Sequence, residues 1–388
     1  MGIRLENSDH NTVTGNTCQG NTLMGINLDN SDENTVSGNT CQGNTCDGIY
    51  LLDSAGNTIT GNTCQGSAGG LTTNGVYLVG SGHNTITGNT YRGNDDQGIY
   101  LLNSGLNTIT GNTCYGNSHG IYLSNSSNQT IAGNNCHENE RHGIRLASSD
   151  HNVVDGNEVM NNGLDADITY DGIHLATSDY NNIQCNTVRT TVAVPPPNRQ
   201  RYGIHISNAA CDGNLVKDND LYQSGITALF NDAGTNTKLP ELWVNSIFDD
   251  QDLNATLSNI DTHMSISMAD GFDVTVRFNF RVPSDFHQLV RARVVVVPDY
   301  LGPPSNMRRG VEALWGLCGE FQNTGVGTIA AGDVAVNGEV VECLDIDAAL
   351  AGITAGDHVG VAFTRYGSHV NDTVGDPVHL LQFWMQYV

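Results

Sequence analysis

A repeat of 22 to 23 residues fills the first 230 residues of the chain. Each unit begins with Gly-Ile or Gly-Val, and this dipeptide returns at intervals of 23, 23, 27, 23, 22, 23, 29 and 31 residues. The phrases NTVTGN, NTVSGN and NTITGN keep the same register, and Thr-Cys-x-Gly-Asn closes several units. A period of this length, built from short apolar–polar alternations that Gly and Asn separate, is typical of a solenoid. The initial glycines are Gly2, Gly25, Gly48, Gly75, Gly98, Gly120, Gly143, Gly172 and Gly203.

The three phrases of a unit predict three short parallel strands, so that each unit forms one coil of a right-handed parallel β-helix. Leucine-rich repeats have a similar length, but their Leu-x-x-Leu-x-Leu pattern is missing. Coils stack at the inter-strand distance of about 4.8 Å. The predicted fold class is therefore all-β, with a right-handed parallel β-helix of about 9–10 coils over residues 1–230.

Stacked repeats place equivalent residues in columns. In Gly-Ile-x-Leu we expect Ile and Leu to face inward. The cysteines of Thr-Cys-x are predicted to be buried apolar residues rather than disulfides or metal ligands, because stacked neighbours have parallel Cβ vectors. The corners at which asparagine follows glycine are predicted to need positive φ, and the asparagine side chains are predicted to hydrogen-bond along the stack. These columns are Ile3, Ile26, Ile49, Ile99, Ile121 and Ile144; Cys18, Cys41, Cys64, Cys114 and Cys136; and Asn16, Asn39, Asn62, Asn89 and Asn112.

The repeat fades after Asn219, and residues 231–245 are predicted to be a linker. The later segments FDVTVRFNFRV and LVRARVVVV alternate between apolar and polar residues. Gly, Pro and Asp turns separate them from GEVVECLDI, DHVGVAFTR and VHLLQFWMQYV. This succession predicts an antiparallel, jelly-roll-like β-sandwich over residues 246–388.

Composition excludes some classes of partner. The 16 basic and 41 acidic residues give a formal net charge of −25, whereas binding to nucleic-acid phosphates needs a surplus of Lys and Arg. No apolar run approaches the roughly 18 residues of a membrane-spanning helix. The N-terminal MGIRLENSDH lacks the basic and apolar regions of a signal peptide. Because the chain begins inside a coil phrase, we expect it to be part of a longer protein or to dock at that end.

The segment GIYLLNSGLNTITGNTCYGNSHGIYL, from Gly98 to Leu123, resembles the repeats of NosD-like proteins and of carbohydrate-active β-helix proteins. The resemblance covers residues 1 to about 230 and implies the right-handed β-helix fold. That fold serves pectate-lyase-like lyases, uronan epimerases, hydrolases, phage tailspikes and plain surface proteins, so it does not choose among them. In the C-terminal region, RVPSDFHQLV and DHVGVAFTRYGSHVNDTV are similar to domains of phage or virus-like fibre and surface proteins.

The residue between Ile and Leu in Gly-Ile-x-Leu is predicted to point outward, so the coils align these residues in one exposed column. Tyrosine rings offer flat apolar faces to sugar C–H groups and a phenol for hydrogen bonds, which favours a glycan-binding strip. The alternative is that stacked tyrosines only stabilise adjacent strands. The column reads Arg4, Asn27, Tyr50, Tyr77, Tyr100, Tyr122, Arg145, His174 and His205.

Three longer intervals arise from insertions at 67–73, 163–170 and 190–201, all at the corner before the next Gly-Ile strand. Insertions on one face of a solenoid commonly form the wall of a binding groove. The substrate-binding residues predicted for this groove are Tyr50, Tyr77, Tyr100, Tyr122, Asp165, Asp167, Arg201 and Tyr202.

A pair of histidines on successive coils, beside Arg and Asp, suits general acid–base chemistry near neutral pH. In a uronan lyase or epimerase, Arg or Ca²⁺ would offset the substrate carboxylate while His or Tyr moves the proton. In a hydrolase, two of Asp165, Asp167 and Asp171 would be acid and base. The alternative is a surface patch without catalysis. The predicted catalytic residues are His142, Arg145, Asp171, His174 and His205.

No metal site is predicted and no cofactor is required. Ca²⁺ is compatible with the carboxylates of Asp165 and Asp167 and with those of residues 249–252. The pair His174 and His205 offers too few ligands for a structural zinc site. The NosD-like resemblance points to copper, but the sequence has only scattered Met and no His/Met cluster.

Together these features predict a surface- or virion-associated β-helix protein that engages polysaccharide, as a tailspike or fibre tip does. The alternatives are a polysaccharide lyase, uronan epimerase or glycoside hydrolase that acts in the groove, and a purely structural surface rod. The expected location is extracellular, at a cell surface or at a virion surface. The expected partners are a glycan and, through the apolar C-terminal segment HLLQFWMQYV, further copies of the chain in a homotrimer.

Overall fold

The computed structural model describes residues 1–66, 73–166, 168–190, 200–221, 223–244, 255–260, 263–283, 286–299, 304–316, 325–337 and 341–388. The chain divides into two compact units, Met1–Lys238 and Leu239–Val388. The predicted linker, 231–245, spans this boundary. It contains the end of one solenoid strand, Ala228–Asp232, and a strand of the second unit, Glu241–Val244.

Within the described residues, the N-terminal unit is a parallel β-solenoid of three sheets, here called A, B and C. This confirms the predicted fold class. Sheet A contains Ile3–Glu6, Ile26–Asp29, Ile49–Leu52, Val76–Val79, Ile99–Leu102, Ile121–Ser124, Ile144–Ala147, Ile173–Ala176, Tyr202–Ile206 and Ala228–Asp232. Sheet B contains Thr12–Thr14, Thr35–Ser37, Thr58–Thr60, Thr85–Thr87, Thr108–Thr110, Thr130–Ala132, Val153–Asp155, Asn182–Gln184 and Leu215–Lys217. Sheet C contains Thr17–Gln19, Thr40–Gln42, Thr63–Gln65, Thr90–Arg92, Thr113–Tyr115, Asn135–His137, Glu158–Met160 and Thr187–Arg189.

The interior of the solenoid consists of the predicted columns. Ile99 and Leu101 are fully buried, and Tyr100 between them is partly exposed, as the period-two alternation of a strand requires. The column cysteines are buried and free, which confirms their prediction as apolar core residues. Each coil therefore buries one side chain of every pair of neighbouring strand residues and leaves the other on the surface.

The corners between sheets B and C depend on glycine and asparagine in different ways. The positive φ predicted for the corner lies on the glycine, for example 60° at Gly38, and not on the following asparagine. The side chain of Asn39 is buried, and its Nδ2 donates to Oδ1 of Asn62 on the next coil at 3.0 Å. This confirms the predicted asparagine ladder, which satisfies polar groups that the turn removes from water.

Within the described residues, the C-terminal unit contains two antiparallel sheets, D and E, around one hydrophobic core. These sheets fit the predicted β-sandwich. Sheet D pairs its strands in the order Ala255–Ile260, His263–Met268, Val378–Tyr387, Leu289–Pro298 and Glu342–Asp345, and Glu241–Val244 also pairs with Val378–Tyr387. Sheet E has the order Asp273–Arg281, His358–Tyr366, Ser305–Gly316 and Gly325–Val336, and a short 3₁₀ helix covers Asp347–Ala349.

The apolar C-terminal segment lies inside sheet D. Leu380, Phe383 and Met385 are buried in the core of the C-terminal unit, so they are not a free apolar surface for other copies of the chain. The homotrimer therefore stays a prediction without this support. The described residues contain no helix that is long and apolar enough to cross a membrane.

Candidate functional site

The outward residues of sheet A form one continuous column, called the sheet A strip below. Strand pairing aligns Tyr77 with Tyr100, Tyr100 with Tyr122, and Tyr122 with Arg145. It then aligns Arg145 with His174, and His174 with His205. The strip thus changes from tyrosine to Arg and His along the solenoid. Its members in the structure are Arg4, Asn27, Tyr50, Tyr77, Tyr100, Tyr122, Arg145, His174 and His205.

The tyrosine rings of the strip stack on one another. The ring centroids of Tyr77 and Tyr100 are 4.7 Å apart with an interplanar angle of 7°, and those of Tyr100 and Tyr122 are 5.1 Å apart at 10°. Because neighbouring rings cover these faces, a ligand on the strip meets ring edges and phenol groups rather than open faces. Burial raises the pKa of Tyr77 to about 12, so its phenol is a neutral hydrogen-bond donor and not a base.

Arg145 ends the tyrosine stack. Its guanidinium carbon lies 4.8 Å from the centroid of the Tyr122 ring, a cation–π contact. Its Nε is buried without a hydrogen-bond partner. No acidic side chain pairs with Arg145 in the described part of the chain. An arginine that is held by an aromatic ring but has no counter-ion is suited to binding an anionic ligand.

A second column lies at the residue before each initial glycine and is called the pre-glycine column. Most of its side chains are buried, and four of them accept a hydrogen bond from the backbone of the next coil. Nδ1 of His119 accepts the backbone N–H of His142 at 3.1 Å, and Nδ1 of His142 accepts that of Asp171 at 2.9 Å. Both imidazoles therefore carry their proton on Nε2 when they are neutral. The column reads Asp47, Asn74, Gln97, His119, His142, Asp171 and Tyr202.

Asp171 is the centre of the candidate site. Its side chain is fully buried, and Arg201 binds it in a bidentate manner, with Nε 3.0 Å from Oδ1 and Nη2 2.9 Å from Oδ2. Nδ1 of His174 lies 2.7 Å from Oδ2, and Nδ1 of His205 lies 3.0 Å from the same oxygen. Burial opposes ionisation of Asp171, but hydrogen bonds from His174, His205 and Arg201 outweigh it and lower the pKa of the carboxyl well below its usual value. Asp171 is thus a permanent anion that orients three surrounding side chains.

The contact with Asp171 fixes the chemistry of His174. An ionised carboxylate only accepts hydrogen bonds, so Nδ1 of His174 donates to it and Nε2 keeps its lone pair. The His174 side chain is 12% exposed. Burial lowers the pKa of His174 despite the opposing hydrogen bond to Asp171, so the imidazole is neutral near pH 7. A neutral imidazole with a fixed tautomer and a free Nε2 is a competent general base.

His205 and Tyr202 complete the cluster on the next coil. Nδ1 of His205 is 2.9 Å from Nη2 of Arg201 in addition to its contact with Asp171. The Tyr202 ring lies 4.9 Å from the His205 ring, and the Arg201 guanidinium lies 4.8 Å from the Tyr202 centroid. The cluster therefore presents imidazole, guanidinium and phenol groups together at one end of the sheet A strip.

Most of the predicted site residues meet in this region. The register brings Arg145, His174 and His205 together, and Asp171, Arg201, Tyr202 and His142 join them from neighbouring positions. Asp165 does not reach the cluster and is 4.0 Å from Arg141 on the surface. Asp167 lies outside the described residues, as do 67–72 and 191–199 of the predicted groove walls.

Two features differ from what the sequence indicates. Asp171 lies beneath the strip instead of at the rim, and with its lowered pKa it cannot be the acid of a hydrolase. His119 is not among the predicted site residues, although it is buried beside the strip. Its ring centroid lies 5.5 Å from that of Tyr122 and 5.3 Å from that of His142. The position of His119 before Gly120, equivalent to that of His142 before Gly143, was the available signal.

His142, Asp171 and His174 also offer atoms that lie within 4.8 Å of one another, which is short enough for a shared metal ion. The contacts argue against one. Nδ1 of His142 already accepts a backbone N–H, and both oxygens of Asp171 already accept hydrogen bonds from Arg201 and the histidines. Two nearby guanidinium groups, of Arg145 and Arg201, add positive charge. The arrangement is a hydrogen-bonded cluster rather than a vacant ligand set.

Two family models match the solenoid. The model of the right handed beta helix region matches residues 70–239, and that of the periplasmic copper-binding protein NosD matches residues 1–74. Copper does not fit the second range. Within its described residues, no three His, Cys, Asp or Glu side chains converge. Cys18, Cys41 and Cys64 lie in the core column, where burial raises the pKa of Cys18 to about 11, and Cys46 lies outside that column.

Several solved structures resemble the chain at low identity. The A-module of the Azotobacter vinelandii mannuronan C-5 epimerase AlgE4 is 20% identical over 55% of this chain and 63% of the module, with a TM-score of 0.44. The enzymatically active domain of bacteriophage CBA120 tailspike protein 2 is 12% identical over 99% of this chain and 71% of that domain, with a TM-score of 0.41. The DFA-IIIase of Arthrobacter chlorophenolicus A6 is 15% identical over 55% of each chain, with a TM-score of 0.41. The chain thus spans less than two thirds of the epimerase module, and no curated protein matches it significantly.

Proposed function

We propose that the protein engages an acidic polysaccharide along the sheet A strip of its β-solenoid, whose residues 70–239 match the model of the right handed beta helix region. The observation that carries the proposal is Arg145. Its guanidinium has an aromatic partner in Tyr122 but no acidic partner among the described residues, and it lies between the tyrosine stack and the cluster around Asp171. A carboxylate or sulfate group on a sugar would supply the missing counter-ion.

The local charge supports an anionic ligand. The chain as a whole carries −25, so an acidic polymer is repelled from most of its surface. The end of the strip differs, because Arg145, Arg201 and the histidines meet there and the buried Asp171 is already neutralised by Arg201. Selective attraction at one site on an acidic protein favours defined binding over general adsorption.

The spacing of the strip supports a polymer. Coils repeat about every 4.8 Å, so an extended glycan chain meets a new side chain at roughly every sugar. Because the rings of Tyr77, Tyr100 and Tyr122 cover one another, the expected contacts are phenol hydrogen bonds and ring edges. A row of neutral phenols suits the hydroxyl-rich edge of a sugar chain.

A binding comparison of Arg145→Gln with Arg92→Gln tests this proposal. Arg92 is an exposed arginine on sheet C, so Arg92→Gln removes the same charge at a position away from the strip. On an array of acidic and neutral polysaccharides, we expect the parent to bind acidic chains. Arg145→Gln should weaken that binding about tenfold or more, because a charge-assisted hydrogen bond contributes about 1.5–3 kcal/mol. Equal losses in both variants, or preference for neutral glycans, would contradict the proposal.

A second candidate function, proton transfer on the bound glycan, is favoured by the geometry of Asp171 and His174. The fully buried carboxylate of Asp171 fixes the tautomer of His174, so that the lone pair of its Nε2 can accept a proton. In this reaction Nε2 of His174 removes the proton next to the sugar carboxylate, and Arg145 stabilises the charge that develops on that carboxylate. In a lyase, the adjacent glycosidic oxygen then leaves with the electron pair of its bond and takes up a proton from the His174 imidazolium or from water, which gives an unsaturated sugar. In an epimerase, water delivers a proton to the opposite face and gives the epimer, and the His174 imidazolium loses its proton to solvent.

His174→Gln separates catalysis from binding. We expect it to abolish formation of the unsaturated or epimerised sugar, measured by ultraviolet absorbance and by proton NMR, while binding on the array stays within a factor of about three. A protein that binds acidic glycans but produces neither product is a binding module, and the proposal for Arg145 then stands alone. Location at a cell or virion surface remains a proposal. Assembly into a trimer is also a proposal, and light scattering is its direct test.

A further inference from the structure

The outer face of sheet B carries a regular array of hydroxyl groups, called the threonine array. In five successive coils of the described structure, both outward positions of the sheet B strand are threonine, with one serine in place of threonine. The array is not part of the sheet A strip and has no role in the proposed glycan site. Its members are Thr12, Thr14, Thr35, Ser37, Thr58, Thr60, Thr85, Thr87, Thr108 and Thr110.

The side chains of the array are held in fixed positions. The residue between each pair, such as Ile59 or Ile86, is fully buried, so both flanking side chains must face outward. Strand pairing keeps the array in register, with Thr58 beside Thr85 and Thr60 beside Thr87. Hydroxyl groups also bond along a column, where Thr110 donates to Thr87 at 3.2 Å. Such side-chain ladders stabilise a regular sheet surface.

The outward strand positions of the array are uncharged, and the corner that follows each strand is open, whereas the corner that precedes the strands carries exposed side chains such as His10 and Glu33. No Lys, Arg, Asp or Glu occupies an outward strand position of sheet B in these five coils, although the chain is rich in acids. The adjoining corner is glycine in each coil, as at Gly38 and Gly88, and an added Cβ there would meet no atom within 4 Å. The array stops at the next coil, where Ala132 takes the place of the second threonine, and Asp155 follows in that column one coil later. A flat hydroxyl surface of limited extent is therefore maintained over the first five coils only.

We propose that the threonine array binds ice. Its hydroxyls repeat about every 4.8 Å between coils and about every 6.7 Å along a strand, since alternate strand residues are two rises apart. Both distances are close to repeats of water oxygens on the prism faces of hexagonal ice. Each hydroxyl can donate and accept, as lattice water does, and the methyl groups fill the space between. A mineral surface would need charged groups, and the array has none.

The test compares two lysine substitutions on one coil of the full chain. Thr60→Lys adds a long side chain to the array, whereas Gln65→Lys adds the same side chain to the outward face of sheet C. We expect the parent and Gln65→Lys to show thermal hysteresis, to inhibit ice recrystallisation and to enter a slowly growing ice hemisphere. Thr60→Lys, with an unchanged melting temperature, should lose all three effects to the level of serum albumin.

Two outcomes would overturn the inference. The first is a parent protein that neither shapes ice crystals nor enters growing ice. The second is equal activity of Thr60→Lys and Gln65→Lys, which would assign any ice activity to another face. Neither outcome bears on glycan binding, because the glycan assays use sheet A and its variants. If Thr60→Lys fails to fold, Thr60→Val is the alternative variant. It removes the hydroxyl group, keeps the shape of the side chain, and should also reduce the thermal hysteresis.

Discussion

Replacing Asp171 by Asn should destabilise the solenoid measurably, because one buried carboxylate holds three side chains. The substitution keeps the size of the side chain and the backbone N–H that binds His142, but it removes the charge that faces Arg201, His174 and His205. Removing one partner of a buried ion pair costs about 3–5 kcal/mol. Because Asn keeps one acceptor oxygen, we expect the lower end, about 3 kcal/mol.

The predicted loss is large enough to see in a thermal melt. For a unit of this size, 1 kcal/mol corresponds to about 2–4 °C, so Asp171→Asn should melt about 6–12 °C below the parent at pH 7. Asp165→Asn is the matched control. Asp165 is 4.0 Å from Arg141 with both side chains about half exposed, and such pairs contribute at most about 1 kcal/mol.

The dependence on pH sharpens the test. The pKa of Asp171 is lowered in the folded protein, so its contribution to stability is present above the ordinary value of 3.8 and is lost as the pH falls through the folded value. The difference between parent and Asp171→Asn should therefore shrink on acidification below about pH 3.8. An Asp171→Asn melt that matches Asp165→Asn at pH 7 would refute the claim that Asp171 organises the site.

Three further outcomes are expected. Burial lowers the pKa of His119 to about 3, so protonation of this histidine in the unfolded chain should reduce the stability of the solenoid as the pH falls from about 6.5 toward 3. His119→Asn keeps a hydrogen-bond acceptor at this position, as Asn74 does in the same column, and should make the melting temperature depend less on pH in this range. A pH dependence equal to that of the parent would contradict this role of His119. Tyr100→Phe with Tyr122→Phe should keep the ring stack and the melting temperature while weakening glycan binding, and a double Phe variant that binds like the parent would exclude the phenols as contacts. Ile99→Asp should abolish the folded solenoid, because an unpaired buried carboxylate costs several kcal/mol, and a parent-like circular dichroism melt would contradict the inward assignment.

The period of the repeat was sufficient to predict the fold and the strip. Once coils stack at a fixed spacing, the position of a residue within its unit determines its sheet and its face. Ile99 is therefore buried and Tyr100 aligned with Tyr122, as the alternation in Gly-Ile-x-Leu predicts. The same reasoning placed Arg145, His174 and His205 in one column. The sheet, the face and the column of a residue follow from how the backbone coils stack, so the repeat determines them without knowledge of the side-chain rotamers.

Side-chain contacts between coils were not predictable in this way. The burial of Asp171 depends on Arg201, which lies 30 residues later in the chain and reaches the carboxylate from the next coil. The parallel stacking of Tyr77 and Tyr100 depends on a shared rotamer, which the spacing permits but does not require. The aspartate therefore looked like a groove residue and the tyrosines like open platforms, and both expectations fail once the rotamers are known.

The pre-glycine column shows how this site fits into the solenoid. In four coils its side chain accepts the backbone N–H of the next coil, and different residue types do so, whereas Oε1 of Gln97 has no hydrogen-bond partner. Asp47 accepts the N–H of Asn74, Asn74 that of Gln97, and His142 that of Asp171. At Asp171 the carboxylate turns instead to Arg201 and two strip histidines. Chemistry can therefore be introduced or removed in one column by exchanging acceptors, while the period, the Ile and Leu core and the strip stay the same.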